Sequence, residues 1–215
     1  MGTKQQVDAH VAALKSTDEE QLMVACEALW HLSQINVSNL QTIREAGAIA
    51  PLVFLLREGS DKVRALVAGA LLGLACDATN REEMAEEECI GLLVDLVSFG
   101  TDEQKANAAG CLSQLATDEN RKQEIRDAGG ISPLVALVSH GNDAQKEGAA
   151  GALWSLSTSD ENQDEIREAG GIPPLVALAK KGTVEQQKNA SIALFNLMCN
   201  DECEMAIREA GWTKF

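Results

Sequence analysis

Two stretches of the 215-residue chain, opening 41 residues apart at Arg126 and Arg167, nearly coincide: RDAGGISPLVALVSHGNDAQK and REAGGIPPLVALAKKGTVEQQ. The same spacing extends the pattern both ways. REAGAIAPLVFLLREGSDKV opens at Arg44, two periods before Arg126, and REAGW opens at Arg208. The copy between them, AEEECIGLLVDLVSFGTDEQK from Ala85, is in register but has Glu87-Glu88 in place of Ala-Gly. The rest of the period also repeats, as Ala70-Leu71-Leu72-Gly73-Leu74, Cys111-Leu112-Ser113-Gln114-Leu115, Ala152-Leu153-Trp154-Ser155-Leu156 and Ala193-Leu194-Phe195-Asn196-Leu197. The first copy, Ala28-Leu29-Trp30-His31-Leu32, lies 42 residues before its successor, so one extra residue falls between Ser33 and Ile43, in a segment that reads as a loop. A period of this length means an array of stacked supersecondary units.

Each unit parses into three helices. A short helix ends at Ala-Gly, where Gly47, Gly129, Gly170 and Gly211 suit a left-handed C-terminal residue. A second opens near Pro51, Pro133 or Pro174 and stops at Gly59, Gly100, Gly141 or Gly182. A third opens near Asp61, Asp102, Asp143 or Val184 and carries an apolar stripe such as Ala149, Ala152, Leu153 and Leu156. No unit covers that stripe alone, but stacked neighbours do. Residues 1–215 therefore read as a single all-α domain with units near 7–47, 48–88, 89–129, 130–170 and 171–211. Four prolines and no tyrosine, with abundant Ala, Leu and Glu, agree.

A short, medium and long helix in about 41 residues, with AGGIPPLV followed by AAGALWSLS, resembles the armadillo repeat. HEAT repeats have two helices per unit and no Ala-Gly break. The resemblance implies a right-handed superhelical solenoid of about five three-helix units. Its third helices would line a concave groove that holds an extended peptide or a partner segment. The family's third helix ends Ala-Leu-x-Asn-Leu, and the Asn amide bonds the backbone of the bound peptide. That position holds His31, Gly73, Gln114, Ser155 and Asn196 here, so only Asn196 matches strictly and Gln114 substitutes. Importin-α-like adaptors have Trp one turn earlier, where this chain has Glu27, Gly69, Gly110, Gly151 and Ile192. Trp30 and Trp154 stand one residue before the motif position and read as packed between helices. Adding Asn107 and Asn189 from the same stripe completes the candidate groove residues. Gly69, Gly110, Gly148 and Gly151 would either clear a floor for a partner's backbone or ease the crossing of neighbouring helices.

The net charge of −15 disfavours nucleic acid and anionic membrane and favours a basic protein or peptide, although acid also serves solubility. The run from Glu82 to Glu88 is the densest acidic patch. The six cysteines include no CxxC pair. Cys26, Cys76 and Cys111 read as small apolar helix residues. His10, His31 and His140 lack a matched nucleophile, and no phosphate loop, GxGxxG or HExxH occurs. No catalytic residue, cofactor or metal is expected. Gly2 lacks the Ser or Thr at position six that myristoylation uses, so the chain reads as unlipidated. No run is long enough to insert into a membrane, and the cysteine usage suits the cytoplasm and nucleus. The first unit starts at its second helix and the last stops after its short one, with apolar Trp212 and Phe215 beyond, which suggests either head-to-tail self-association or the missing remainder of a longer array. The function expected is a protein-binding scaffold or adaptor. A nuclear-transport-type adaptor for basic cargo and the substrate-binding array of a ubiquitin ligase remain as alternatives.

Overall fold

The computed structural model describes residues 3–213, and over them it is helical without strands. The helices are α1 (Thr3–Ala13), α2 (Glu19–Ile35), α3 (Val37–Glu45), α4 (Ile49–Glu58) and α5 (Asp61–Leu74). Next come α6 (Ala78–Glu86), α7 (Cys89–Phe99), α8 (Asp102–Leu115), α9 (Glu119–Asp127) and α10 (Ile131–His140). The last are α11 (Asp143–Leu156), α12 (Asp160–Glu168), α13 (Ile172–Lys181), α14 (Val184–Leu197) and α15 (Asp201–Glu209). Gly2 and Phe215, on which the lipidation and C-terminal readings rest, lie outside the described residues.

The punctuation acts as the sequence implies. Gly59, Gly100, Gly141 and Gly182 cap α4, α7, α10 and α13. Gly47, Gly129, Gly170 and Gly211 take φ of 73° to 76° after the short helices. At the degenerate copy the backbone keeps that turn, and Glu88 is held at φ 56°. A left-handed L-residue costs about 1–2 kcal/mol, because Cβ crowds the carbonyl. Glu88→Gly should therefore raise the unfolding free energy by about 1 kcal/mol in urea denaturation. An unchanged midpoint would mean that Glu88 makes a compensating contact.

The extra residue near the start is not in a loop. α2 has 17 residues where the other third helices have 14, and Asn36 alone separates it from α3. The insertion is absorbed by extending the helix through Ser33, Gln34 and Ile35, because Asn36 can cap α3 directly from there.

Third helices pack on one another in order, α2 on α5, α5 on α8, α8 on α11 and α11 on α14, with the second helices alongside. One apolar core runs from Val7 to Trp212. Trp212 is tucked into it rather than left as an exposed apolar end. Cys26, Cys89 and Cys111 are core residues, and burial pushes the Cys26 and Cys89 thiols up to about 12. Cys76 departs from the expectation: it follows the end of α5 and is exposed.

A polar device crosses each later junction. Gln104, Gln145 and Gln186 are buried at the third position of α8, α11 and α14. Each Oε1 accepts from its own N-cap N–H, on Thr101, Asn142 or Thr183. Each Nε2 donates to the carbonyl that opens the preceding third helix, Asp61 at 2.8 Å, Asp102 at 3.0 Å and Asp143 at 2.8 Å. One amide thus caps its own helix and fixes the register of its neighbour. Asn39, Asn80 and Asn162 tie short helices to the preceding third helices by donating to the carbonyls of Leu32, Leu74 and Leu156.

Candidate functional site

The expected groove residues all lie on third helices, but they differ in what they offer a partner. Glu27, His31 and Gln114 are exposed, and Gly69 and Gly151 are buried. Gly73, Asn107, Gly110, Ser155, Asn189, Ile192 and Asn196 are half-buried.

The glycines answer to neighbouring helices. A Cβ on Gly69 would lie 2.7 Å from the Trp30 ring, and one on Gly73 would lie 2.0 Å from Ser33 Oγ. At Gly110 it would meet Leu72 at 3.2 Å, and at Gly151 Ser113 Oγ at 2.7 Å. At Gly148 it would come within 2.7 Å of the Gly110 backbone nitrogen. These glycines let consecutive third helices close on one another, and Trp30 is packed across that junction as its place in the sequence suggested.

The amides are largely turned inward as well. Asn107 Nδ2 donates to the Ala65 carbonyl at 3.2 Å, and Asn189 Nδ2 to the Glu147 carbonyl at 3.4 Å. Asn196 Nδ2 donates to Ser157 Oγ at 3.0 Å. Gln114 differs: it is exposed, and its amide has no hydrogen-bond partner among the described residues. His31 sits 3.8 Å from Glu27 and stacks beside Trp30.

Five of the expected residues come together. Asn107, Gly110, Gln114, Gly151 and Asn189 line one trough of about 370 Å³ along α8 and α11. Glu27 and His31 on α2 and Asn196 on α14 do not line it. Leu72, Ala106, Ser113 and Glu147 also line it and are not groove candidates by sequence. The motif defines one line of residues down each helix, whereas the trough lies between two helices. Its floor is small, and its rim offers the Gln114 amide and the exposed Glu147 carboxylate. Glu20, Glu103 and Glu185 on the same stripe are exposed, and Glu185 pairs with Lys188 at 3.2 Å. Such a surface can hydrogen-bond an extended backbone and attract cationic side chains.

The short helices carry a ladder of ion pairs between units. Arg121 reaches Glu82 at 3.8 Å, Arg126 reaches Glu161 at 3.9 Å and Arg167 reaches Glu202 at 2.8 Å. Part of the acidic run at Glu82–Glu88 is therefore engaged within the chain. Among the described residues no His, Cys, Asp and Glu group could hold a metal ion, and no helix is long and apolar enough to cross a membrane.

A family profile described as Armadillo/beta-catenin-like repeat matches residues 118–158 and 159–199. Its unit begins at the short helix, one helix earlier in phase than the units at 130–170 and 171–211 read from the sequence. Several solved structures are similar over nearly all of the chain. A computationally designed armadillo repeat protein for modular peptide recognition is 28% identical, with 95% of this chain and 88% of that one covered and a TM-score of 0.85. A designed armadillo repeat protein in complex with the peptide (KR)4 is 26% identical, with coverage of 96% and 88% and a TM-score of 0.82. A further engineered protein is 30% identical, with coverage of 96% and 85% and a TM-score of 0.86. No curated protein sequence matches the chain.

Proposed function

The chain belongs to the armadillo-repeat family and folds as a right-handed superhelical solenoid, and from that premise we propose that it is a scaffold or adaptor whose third-helix groove holds an extended basic peptide. The observation that carries this reading is the trough between α8 and α11. It has a small floor, the unengaged Gln114 amide and the Glu147 carboxylate on one face. The net charge of −15 adds long-range attraction for a cationic segment. The similar designed protein that holds (KR)4 supports the same ligand class. Engagement is centred on α8 and α11 rather than spread over an asparagine ladder, because Asn107, Asn189 and Asn196 bond within the chain. The cargo-adaptor reading uses this same groove. We read the chain as a binding protein of the cytoplasm or nucleus, without catalysis of its own.

A labelled Lys-Arg octapeptide tests the proposal by fluorescence anisotropy. Binding is expected, and it should weaken as salt rises from about 50 mM to about 500 mM and the screening length falls. Gln114→Ala should raise Kd about fivefold, the value of one hydrogen bond near 1 kcal/mol, and Glu147→Gln should reduce the salt dependence. Equal affinity for a Glu octapeptide, or Kd unchanged in both variants, would overturn it.

A further inference from the structure

The junction between consecutive third helices has two halves, and both recur inside the chain. The leading half is a helix start whose first carbonyl accepts the glutamine Nε2 of the following unit, together with the residue before the motif position, which packs on the following helix. Asp61, Asp102 and Asp143 supply that carbonyl. Trp30, Leu72 and Ser113 supply the packing side chain, against Gly69, Gly110 and Gly151. The trailing half is the glutamine itself and the residue three places later, which faces the preceding helix as Asn107, Gly148 and Asn189 do.

Two faces of the chain carry these halves uncovered. On α14 the leading positions are Val184, 81% exposed, and Phe195, 69% exposed. On α2 the trailing positions are Gln21, which is exposed, and Val24, 55% exposed. Val24 and Gln21 border a hollow of about 420 Å³ whose wall is apolar at Ala13 and Ala25 and polar at His10, Asp18 and Glu20. Inside the chain the helix that occupies the corresponding place opens on Asp; α14 opens on Val184, an apolar residue that suits the wall made by Ala13, Val24 and Ala25 and brings no carboxylate near Asp18 and Glu20. Glu27 stands where Gly69 and Gly110 stand, but Ile192 shows that the register also admits a larger residue at that position.

We propose that a second copy of this chain docks head to tail, the α14 face of one molecule on the α2 face of the next. Gln21 Nε2, which gives one hydrogen to Asp18 Oδ2 at 3.4 Å, gives its second to the Val184 carbonyl, as Gln104 does to Asp61. Val184 enters the hollow beside Val24, and Phe195 covers Glu27 and His31. The junction that repeats within the chain continues between chains. Such a contact is heterologous, so assembly is open-ended and does not close as a twofold dimer.

Sedimentation velocity of the 215-residue chain tests this from about 1 μM to about 200 μM, where micromolar association is read. The weight-average mass should rise past that of a dimer with no plateau. Phe195→Asp and Val24→Asp alter side chains already in solvent, so each variant should keep the parent's thermal melt and remain a monomer. Mixed in equal amounts they should form a dimer and nothing larger, because each retains the face that the other has lost. A monomer at every concentration, a plateau at the dimer, association that survives either substitution, or a mixture of the folded variants that stays monomeric would each overturn the proposal.

Discussion

Replacing Gln104, Gln145 and Gln186 together by alanine should lower the unfolding free energy by about 3–6 kcal/mol, at about 1–2 kcal/mol for the two bonds each amide makes. All three are buried, and each joins its own N-cap N–H to the carbonyl that opens the neighbouring third helix. The loss falls on interface terms, and an array of stacked units owes its cooperativity to those terms. The urea transition should therefore broaden as its midpoint drops. Gln123→Ala, on an exposed position of α9, is the control and should stay within about 0.5 kcal/mol of the parent. A triple variant with the parent's midpoint and slope would mean that the glutamines do not couple the units.

Gly148→Ala should destabilise the chain by about 1–3 kcal/mol, the cost of overpacking, although helix propensity alone favours alanine over glycine by about 1 kcal/mol. The sign turns on what the added carbon meets. It would lie 2.7 Å from the Gly110 nitrogen and 3.2 Å from the Ala109 carbonyl carbon, and both are backbone atoms that cannot rotate away. α8 and α11 would have to separate, opening the trough that carries the proposed function. Gly91→Ala supplies the contrast. Nothing lies within 4 Å of its added carbon on α7, so that variant should gain up to about 1 kcal/mol. Thermal melts of the two variants that move in the same direction would contradict the close packing of α8 on α11.

Much of this architecture was legible in the chain. Proline at helix starts and glycine at helix stops recur with the period, and each acts through local backbone geometry that a sequence carries directly. Gly47 and Gly129 lie at positive φ, and the degenerate Glu88 follows them because the repeat constrains the turn. Contacts between units were harder to read. Glutamine recurs at 104, 145 and 186, yet alone it reads as a capping-box residue, since its second partner is a backbone carbonyl 43 residues away. In the sequence Gly69 and Gly151 fit either a floor for a partner or room for helix crossing; Trp30 and Ser113 fill that space from the preceding helix, so crossing is what they serve. The extra residue reads as a loop insertion, because insertions are usually tolerated there, whereas α2 extends to meet the Asn36 cap. The same limit applies to the groove. Gln114 and Asn107 lie on the motif line, but Glu147 belongs to the next line of α11 and joins them only across the helix pair.

The groove is tested most directly by chemical-shift mapping of the isotopically labelled chain as the Lys-Arg octapeptide is added. The expected result is a continuous set of perturbed residues on α8, α11 and α14, centred on Asn107, Gln114, Glu147 and Asn189, with Glu82 and Glu161 on the short helices unmoved. Perturbation centred on those short helices, or none at saturating peptide, would contradict the account.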